Sequence, residues 1–238
     1  MENIKHKHIL ITGATGGIGS EAAKLLKQSG AELYLSGRDK SKLDELAESL
    51  EVPASQRFVV DFEQVAQIEG MVSSIHSLVP QLDVVINAAG IGIIKPSDQL
   101  TVEEFQRTLT ANLVGPFALF KHVLPPMKAT KKGLIINIPG VLGKTPMAGA
   151  AAYAASKYGL NGMLKSLREE LRRTQIRITN LYLGGVDTPF WDEIDLRVQR
   201  DKFIMAKEAA RSIWFLCQQP SSGVVSEMVI QPFNHQAI

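Results

Sequence analysis

Residues 8–19, which read HILITGATGGIG, decide the fold of this chain. Their first five residues are mostly apolar or β-branched, which predicts a buried strand, and a helical pattern begins where the stretch ends. In a turn between strand and helix, one glycine permits the sharp bend, a second lets the backbone approach a pyrophosphate, and a third lets the helix pack closely on the strand. Gly13, Gly17 and Gly19 fit these roles. The stretch therefore predicts a dinucleotide-binding turn, although glycines in tight turns also serve conformation alone.

From this first unit onward, short apolar runs alternate with longer helical patterns. The strand candidates are His8–Thr12, Glu32–Ser36, Arg57–Asp61, Asp83–Asn87, Leu134–Ile138, Arg177–Leu181 and Glu227–Gln231. The main helical candidates are Gly19–Ser29, Lys40–Leu50, Gln64–Leu78, Val102–Thr130 and Ala152–Thr174. The pair Pro125-Pro126 is expected to kink or end the fourth of these helices. The alternation predicts an α/β fold of the Rossmann type, a doubly wound parallel sheet of about seven strands with helices on both faces.

No linker or change of composition divides the chain, so we expect a single domain over residues 1–238, with a short substrate lid near residues 189–206. Hydrophobic residues make up 45% of the chain, and the formal net charge is +2 without a long basic stretch, which argues against a nucleic-acid partner. No run of about 18 apolar residues or signal-peptide pattern is present, so we expect no membrane partner and a cytoplasmic location. Cys217 lies in an apolar segment and is expected to be a buried, unreactive thiol. The histidines near the start of the chain are interpreted as part of a solvated lead-in, so no metal site is predicted.

The end of the second strand candidate indicates which dinucleotide binds. A carboxylate at this tip binds the ribose hydroxyls of NAD and repels the additional phosphate of NADP. Here the tip reads Ser36-Gly37-Arg38, and a guanidinium can hold a phosphate through two parallel charge-assisted hydrogen bonds. The sequence therefore favours NADP (NADPH), with NAD possible. The alternative is that Arg38 only covers a surface loop while Asp39 caps the next helix.

Tyr153 and Lys157 are four residues apart at the start of a predicted helix, so their side chains project from one face. A neighbouring ammonium favours the phenolate, and we expect Lys157 to lower the pKa of Tyr153 from its usual value near 10. The tyrosine could then act as an acid or base near neutral pH. Ser156 projects from a different face and is assigned to packing.

Residues 12–19 and the segment Tyr153-Ala-Ala-Ser-Lys157 together resemble the short-chain dehydrogenase/reductase (SDR) family, in its NADP(H)-dependent form, over essentially the whole chain. The resemblance implies hydride transfer between a nicotinamide and a small carbonyl or alcohol substrate, with Tyr153 exchanging the oxygen-bound proton. Lys157 would hold the nicotinamide ribose and stabilise the phenolate, and Asn112 would hold a water that relays protons to it. The implied cofactor-binding residues are Gly13, Thr15, Gly17, Ile18, Gly19, Arg38, Asp61, Phe62, Asn87, Ala88, Gly90, Lys157, Val186 and Thr188. A homodimer or homotetramer built on the helices Val102–Thr130 and Ala152–Thr174 is also implied.

One position departs from the family pattern. Most members carry a serine thirteen residues before the tyrosine, where this chain has Gly140. Loss of one preorganised donor typically costs about 10²–10³ in rate, and Thr145 is a candidate substitute. Two functions therefore stay open: an NAD(P)(H)-dependent oxidoreductase, or a catalytically impaired dinucleotide-binding protein with a sensing or assembly role. Phe190, Trp191 and Phe203 either line an apolar substrate pocket or pin the lid to the core.

Overall fold

Parallel strands form the centre of the computed structural model, which describes residues 2–194, 196–220 and 222–234. The strands are β1 His8–Thr12, β2 Glu32–Gly37, β3 Arg57–Val59, β4 Val84–Asn87, β5 Lys132–Asn137, β6 Gln175–Leu183, β7 Val186–Asp187, β8 Ile204–Met205 and β9 Glu227–Ile230. The α-helices are α1 Gly17–Gln28, α2 Lys40–Ser49, α3 Val65–Leu78, α4 Val102–Leu109, α5 Gly115–Thr130, α6 Ala151–Leu171 and α7 Ala206–Leu216. Asp195, inside the predicted lid, and the ends of the predicted domain, residues 1 and 235–238, lie outside the described residues.

Seven of the strands form one parallel sheet in the order β3-β2-β1-β4-β5-β6-β9. The chain crosses back to the middle between β3 and β4, which leaves a crevice at the carboxyl ends of β1 and β4. This arrangement confirms the predicted α/β sheet of seven strands. The third strand is shorter than predicted, since it ends at Val59 rather than at Asp61.

Alternate residues of each buried strand enter two separate hydrophobic cores. Ile9 and Ile11 pack with α1, α2 and α7 on one face, whereas Leu10 packs with α3, α5 and α6 on the other. All three side chains are fully buried. Strands covered on both faces carry nearly continuous apolar residues, which is why their runs were visible in the sequence.

The predicted helix Val102–Thr130 is helical over its whole length, as α4, a π-helical turn and α5 in direct succession, and only the expected end at Pro125-Pro126 was wrong. A five-residue π-helical turn, Thr110–Val114, separates α4 from α5. Pro125 and Pro126 lie inside α5 without ending it. A proline inside a helix costs about 3 kcal/mol, and burial of a large apolar side chain contributes about 1.5–3 kcal/mol. Because α5 buries eight residues, among them three large ones in its last eight positions, packing outweighs the two prolines.

The two remaining strands, β7 and β8, pair separately and in parallel beyond the carboxyl end of β6. Val186 lies opposite Ile204, and Asp187 lies opposite Met205. The pair closes the intervening segment into a loop whose side chains reach the start of α6. The fold thus places this loop beside the crevice.

Candidate functional site

The dinucleotide turn between β1 and α1 has a shape that only glycine permits at three positions. Gly13 has a φ of +66°, and a Cβ added there would lie 2.7 Å from the carbonyl oxygen of Ala88. A Cβ at Gly19 would overlap the carbonyl oxygen of Gly13, and one at Gly17 would lie 2.5 Å from Cγ2 of Thr188. Helix α1 has no side-chain cap and no acidic residue in its first turn. Its first amide groups and its dipole therefore suit an anionic group, so the turn fits a pyrophosphate.

At the end of β2, any side chain at Gly37 would press against Thr15. A Cβ added to Gly37 would lie 2.9 Å from both Oγ1 and Cγ2 of Thr15. Ser36 is buried, and its Oγ has no hydrogen-bond partner in the part of the chain that the structure describes. Arg38 follows as an exposed side chain. Asp39 accepts a hydrogen bond from the Lys42 amide at 3.0 Å and caps α2, as the alternative interpretation predicted for this residue.

Asp61 and Phe62 follow β3, and both have structural contacts. Oδ1 of Asp61 accepts from the Glu63 amide at 2.9 Å. Phe62 is 7% exposed and packs in the core against Gly115 of α5. The Phe62 ring is therefore packed between α3 and α5, and the predicted cofactor contact at this residue stays a prediction.

A chain of buried side-chain hydrogen bonds crosses the sheet just before its carboxyl edge. Thr12 Oγ1 donates to Asn87 Oδ1 at 3.1 Å, and Asn87 Nδ2 donates to Asn137 Oδ1 at 2.7 Å. Asn137 Nδ2 donates to Asn180 at 3.4 Å, and Asn180 Nδ2 donates to Asn161 on α6 at 3.1 Å. The four strand residues lie opposite one another in the register. The Asn87 side chain thus holds the carboxyl ends of β1, β4 and β5 side by side. Its neighbours Ala88 and Gly90 lie at the crevice.

Asn112 lies in the π-helical turn, and its side chain holds the loop that follows β4. Its Oδ1 accepts from the Ile91 amide at 2.8 Å, and its Nδ2 donates to the Ile91 carbonyl at 2.9 Å. The same Nδ2 donates to Ser156 Oγ at 3.1 Å, and Ser156 Oγ donates to the Tyr153 carbonyl at 2.7 Å. Ser156, assigned to packing from the sequence, therefore connects the turn to α6. No spacing rule signals this role, because the partners are 44 residues apart in the sequence.

Tyr153 and Lys157 meet at the start of α6, as their spacing predicted. Lys157 is 4% exposed, and its Nζ lies 5.3 Å from the centre of the Tyr153 ring. A Cβ at Gly90 would lie 3.3 Å from this Nζ, so the glycine leaves the ammonium room beside the crevice. Tyr153 is half-buried.

The expected lowering of the Tyr153 pKa is not found. Burial raises the pKa of Tyr153 to about 12 and lowers the pKa of Lys157 to about 8, because each charged form loses hydration. The ammonium contacts the ring, and no hydrogen bond joins it to the hydroxyl. Near neutral pH the Tyr153 hydroxyl is therefore protonated, which suits a proton donor.

Gly140 lies beside the tyrosine hydroxyl. A Cβ added to it would be 3.8 Å from the Tyr153 hydroxyl oxygen and 3.7 Å from the Leu183 carbonyl. Its φ of +68° and ψ of 166° belong to a region that is essentially restricted to glycine. The position therefore leaves space beside the Tyr153 hydroxyl, but its backbone disfavours any side chain. Thr145, the candidate substitute, donates its amide to Val141 in the loop that follows.

The loop between β7 and β8 packs against both the turn and the tyrosine. Val186 and Thr188 are buried, and Thr188 contacts Gly17. The Phe190 and Tyr153 ring centres are 5.9 Å apart, and Trp191 donates through Nε1 to the Val186 carbonyl at 3.0 Å. The loop thus carries both the residues predicted to bind the cofactor, Val186 and Thr188, and the aromatic residues that were candidates for a substrate pocket.

Arg200 braces this loop, a role that sequence reasoning missed. Its Nε donates to Asp187 at 2.6 Å, its Nη1 to Asp192 at 2.5 Å, and its Nη2 to the Thr188 carbonyl at 3.1 Å. The two aspartates flank Phe190 and Trp191 in the sequence. An arginine among other charged loop residues carries no sequence signal for such a contact.

Other kinds of site receive no support from the described residues. Over residues 2–194, 196–220 and 222–234 no group of three or more His, Cys, Asp or Glu could hold a metal ion. In the same ranges no helix is long and apolar enough to cross a membrane. Cys217 is buried, and burial raises its pKa to about 12.

Comparisons with known proteins agree with this geometry. The family described as short chain dehydrogenase matches residues 7–199. An uncharacterized oxidoreductase of Staphylococcus epidermidis is 31% identical over 98% of this chain and 100% of its own length, and a 3-oxoacyl-acyl-carrier-protein reductase of Rickettsia felis is 29% identical over 96% of both chains. A metagenomic short-chain oxidoreductase crystallised with NADP is 28% identical and has a TM-score of 0.83, covering 97% of this chain and 99% of its own.

Proposed function

Since the chain belongs to the short-chain dehydrogenase family, we propose that this oxidoreductase uses NADP(H) to interconvert a small carbonyl compound and its alcohol. The observation that carries the proposal is the meeting of Tyr153 and Lys157 between Gly90 and Gly140, at the crevice that the glycine turn opens. NADPH oxidation against a panel of aldehydes, ketones and diketones tests it. We expect turnover with at least one of them, and binding of NADPH without any turnover would contradict the proposal.

The residues that would hold the cofactor are divided between two loops. Gly13, Gly17 and Gly19, with Thr15 and Ile18, would bind the pyrophosphate through the uncapped start of α1. Val186 and Thr188 would form the nicotinamide end, and Asp61, Asn87, Ala88 and Gly90 would border the crevice. When bound, the cofactor would supply one hydride to the carbonyl carbon, so that a single added proton on oxygen completes the alcohol.

Tyr153 would supply that proton from its hydroxyl. With a pKa of about 12 the hydroxyl stays protonated across the physiological range. Lys157, with a pKa of about 8, is mostly an ammonium at neutral pH and stabilises the negative charge that develops on the tyrosine oxygen. Asn112 acts by fixing Ile91 and Ser156 around this pair.

Arg38 supports NADP over NAD. It is the exposed cation at the end of β2, and neither Ser36 nor Gly37 supplies the carboxylate that would bind the NAD ribose. Arg38→Ala should therefore weaken NADPH binding at least tenfold while NADH binding changes little, as measured by calorimetry. Equal losses for both cofactors would remove Arg38 from this role.

A second candidate function, a dinucleotide-binding protein with a sensing or assembly role, is favoured by the absence of a side chain at Gly140. No side-chain hydroxyl stands at this position beside Tyr153. The retained pair of Tyr153 and Lys157 supports the enzyme, since a cofactor-binding protein has no need of the tyrosine. The carbonyl panel decides between the two.

We also propose a homo-oligomer built on α4, α5 and α6, in the cytoplasm. Val102, Phe117 and Tyr158 on these helices, and Val114 in the turn between α4 and α5, expose large apolar side chains, with Phe117 at 51%. Covering them against a second copy would bury the apolar surface. Light scattering should show a dimer or tetramer, and a monomer at micromolar concentration would contradict this part of the proposal.

A further inference from the structure

A third apolar cluster, separate from the two cores, surrounds Tyr153. We call it the edge cluster, and its members are Ile94, Leu142, Met147, Ala150, Tyr153, Phe190, Trp191 and Ile194. They come from four loop or helix-start segments, after β4, after β5, at the start of α6 and after β7. Apolar residues converge from these segments on the one side chain that would exchange a proton with substrate.

Phe190 is the member that contacts both the tyrosine and the opposite wall. Its ring centre lies 5.9 Å from that of Tyr153. A Cβ added to Gly92 would overlap the Phe190 ring, so this glycine leaves the space that the ring fills. Phe190 therefore sets the width between Tyr153 and the loop after β4.

The loop that carries Phe190 is held from both sides. Arg200 bonds to Asp187 and Asp192, and Trp191 bonds to the Val186 carbonyl at 3.0 Å. The Trp191 ring also lies between Phe190 and Phe203, edge-to-face with Phe190 at 5.4 Å and tilted against Phe203 at 5.2 Å between ring centres. These contacts make Phe190 a fixed wall of the site.

Three cations carried by the neighbouring segments are paired with carboxylates. Lys95 pairs with Glu104 at 2.6 Å, Lys144 pairs with Glu227 at 2.5 Å, and Arg200 has its two aspartates. A carboxylate or phosphate on a substrate would lose water without gaining a free cation from these groups, which is costly. Within the described part of the chain, three cations without a carboxylate partner remain as competing anion partners: Arg197 and Lys202, exposed on the loop between β7 and β8, and Lys157 beside Tyr153. Arg197 is the one replaced in the test below.

We propose that the edge cluster takes an uncharged, apolar aldehyde or ketone and that Phe190 limits its size. This inference rests on the proposed carbonyl–alcohol function of the same site. Reduction places a hydride on the carbonyl carbon and the Tyr153 proton on its oxygen, so a neutral substrate gives a neutral alcohol.

The first test compares benzaldehyde with para-formylbenzoate, which adds a carboxylate to the same aldehyde. With NADPH, we expect kcat/KM to be at least tenfold higher for benzaldehyde. An equal or higher value for para-formylbenzoate overturns the inference. If Arg197→Ala then lost the preference for para-formylbenzoate, Arg197 would be the cation that binds its carboxylate. In either case turnover leaves the proposed function standing.

The second test is a double-mutant cycle on Phe190 and Gly92. Phe190→Ala should raise the ratio of kcat/KM for naphthaldehyde over benzaldehyde at least tenfold, whereas the matched control Phe215→Ala, an exposed phenylalanine of α7, should leave it unchanged. Gly92→Ala should lower kcat/KM for benzaldehyde in the wild type, because it displaces the Phe190 ring, and should lower it no further in Phe190→Ala. An unchanged ratio or additive losses would overturn the role of Phe190.

A binding test separates this inference from catalysis. The chain has two tryptophans, and Trp214 bonds to Ser29 on the far face of the sheet, so Trp214→Phe leaves Trp191 as the reporter. Benzyl alcohol should change the Trp191 fluorescence saturably, and para-hydroxymethylbenzoate should not. That result without any turnover supports the apolar site and contradicts the proposed enzyme, whereas no response to benzyl alcohol, or a response to both, overturns the apolar site.

Discussion

The dinucleotide turn and the edge cluster lie at the same edge of the sheet but are built in opposite ways. In the turn, side chains are missing where they would collide, as at Gly13 and Gly19, whose added Cβ atoms would meet backbone. At the edge cluster, side chains from distant segments fill the space, as Phe190 does over Tyr153. Backbone cannot move aside cheaply, whereas side chains repack. The comparison indicates that the turn tolerates almost no substitution and that the edge cluster is where specificity can change.

The largest effect is expected from Gly19→Ala. The added methyl overlaps the Gly13 carbonyl, so we expect loss of about 1–3 kcal/mol of stability and a fall in NADPH affinity of at least about 10²-fold. Gly70→Ala in α3, where no atom lies within 4 Å, is the matched control and should raise stability by up to about 1 kcal/mol. Thermal unfolding and calorimetry measure both, and tight NADPH binding by Gly19→Ala would break the comparison.

Gly140 combines features of both regions, because it is a glycine with a restricted backbone that lies beside Tyr153 in the proposed substrate site. Gly140→Ser and Gly140→Ala should each cost about 1–3 kcal/mol of stability, because φ is +68°. The two variants share this strain and differ by one hydroxyl near the Tyr153 oxygen. We expect turnover of the serine variant to exceed that of the alanine variant by about tenfold. Equal rates would show that the native site uses another donor.

The pH dependence of the rate should report the protonation state of Lys157, which lies beside Tyr153 at the crevice. Its pKa of about 8 means that it is protonated below this pH and loses its charge above it. The rate of carbonyl reduction should therefore fall as the pH rises through about 8, by up to tenfold per unit, while Tyr153 stays protonated. Lys157→Arg keeps its charge and should remove this fall even if its rate is lower. A wild-type rate that rises through pH 8 would contradict the assignment.

The smallest effect is expected from Arg200→Ala. Its ion pairs are solvent-exposed, so we expect little change in stability. Loosening the loop should raise KM for the carbonyl substrate about three- to tenfold and change kcat less. Arg197→Ala on the same loop is the control and should leave KM for a neutral substrate unchanged. If both arginine variants behave alike, Arg200 does not position the loop.

The difference between the two regions also explains how much was predictable. The turn and the pair Tyr153 and Lys157 were predicted because strand ends, glycines and helical spacing are local patterns. Three features were not predicted, because they depend on contacts between distant residues. The π-helical turn at Asn112 and the role of Ser156 depend on the loop at Ile91. The role of Arg200 depends on hydrogen bonds to aspartates 8 and 13 residues away. The burial of the Phe62 ring was not predicted either, because its neighbour in space, Gly115, is distant in sequence.

The pKa of Tyr153 was mispredicted for a related reason. Spacing places Lys157 on the same face, but it does not reveal how deeply the pair is buried or that the ammonium contacts the ring. Burial then decides the direction of both shifts.

The central claim is that Tyr153 donates the proton in an NADPH-dependent carbonyl reduction. Its most direct test compares aldehyde-dependent NADPH oxidation by the wild type and by Tyr153→Phe, with NADPH affinity measured in both. We expect equal affinity for NADPH and a rate at least about 10²-fold lower in Tyr153→Phe. Equal rates in the two proteins, or a wild type that binds NADPH and reduces no carbonyl compound, would contradict it.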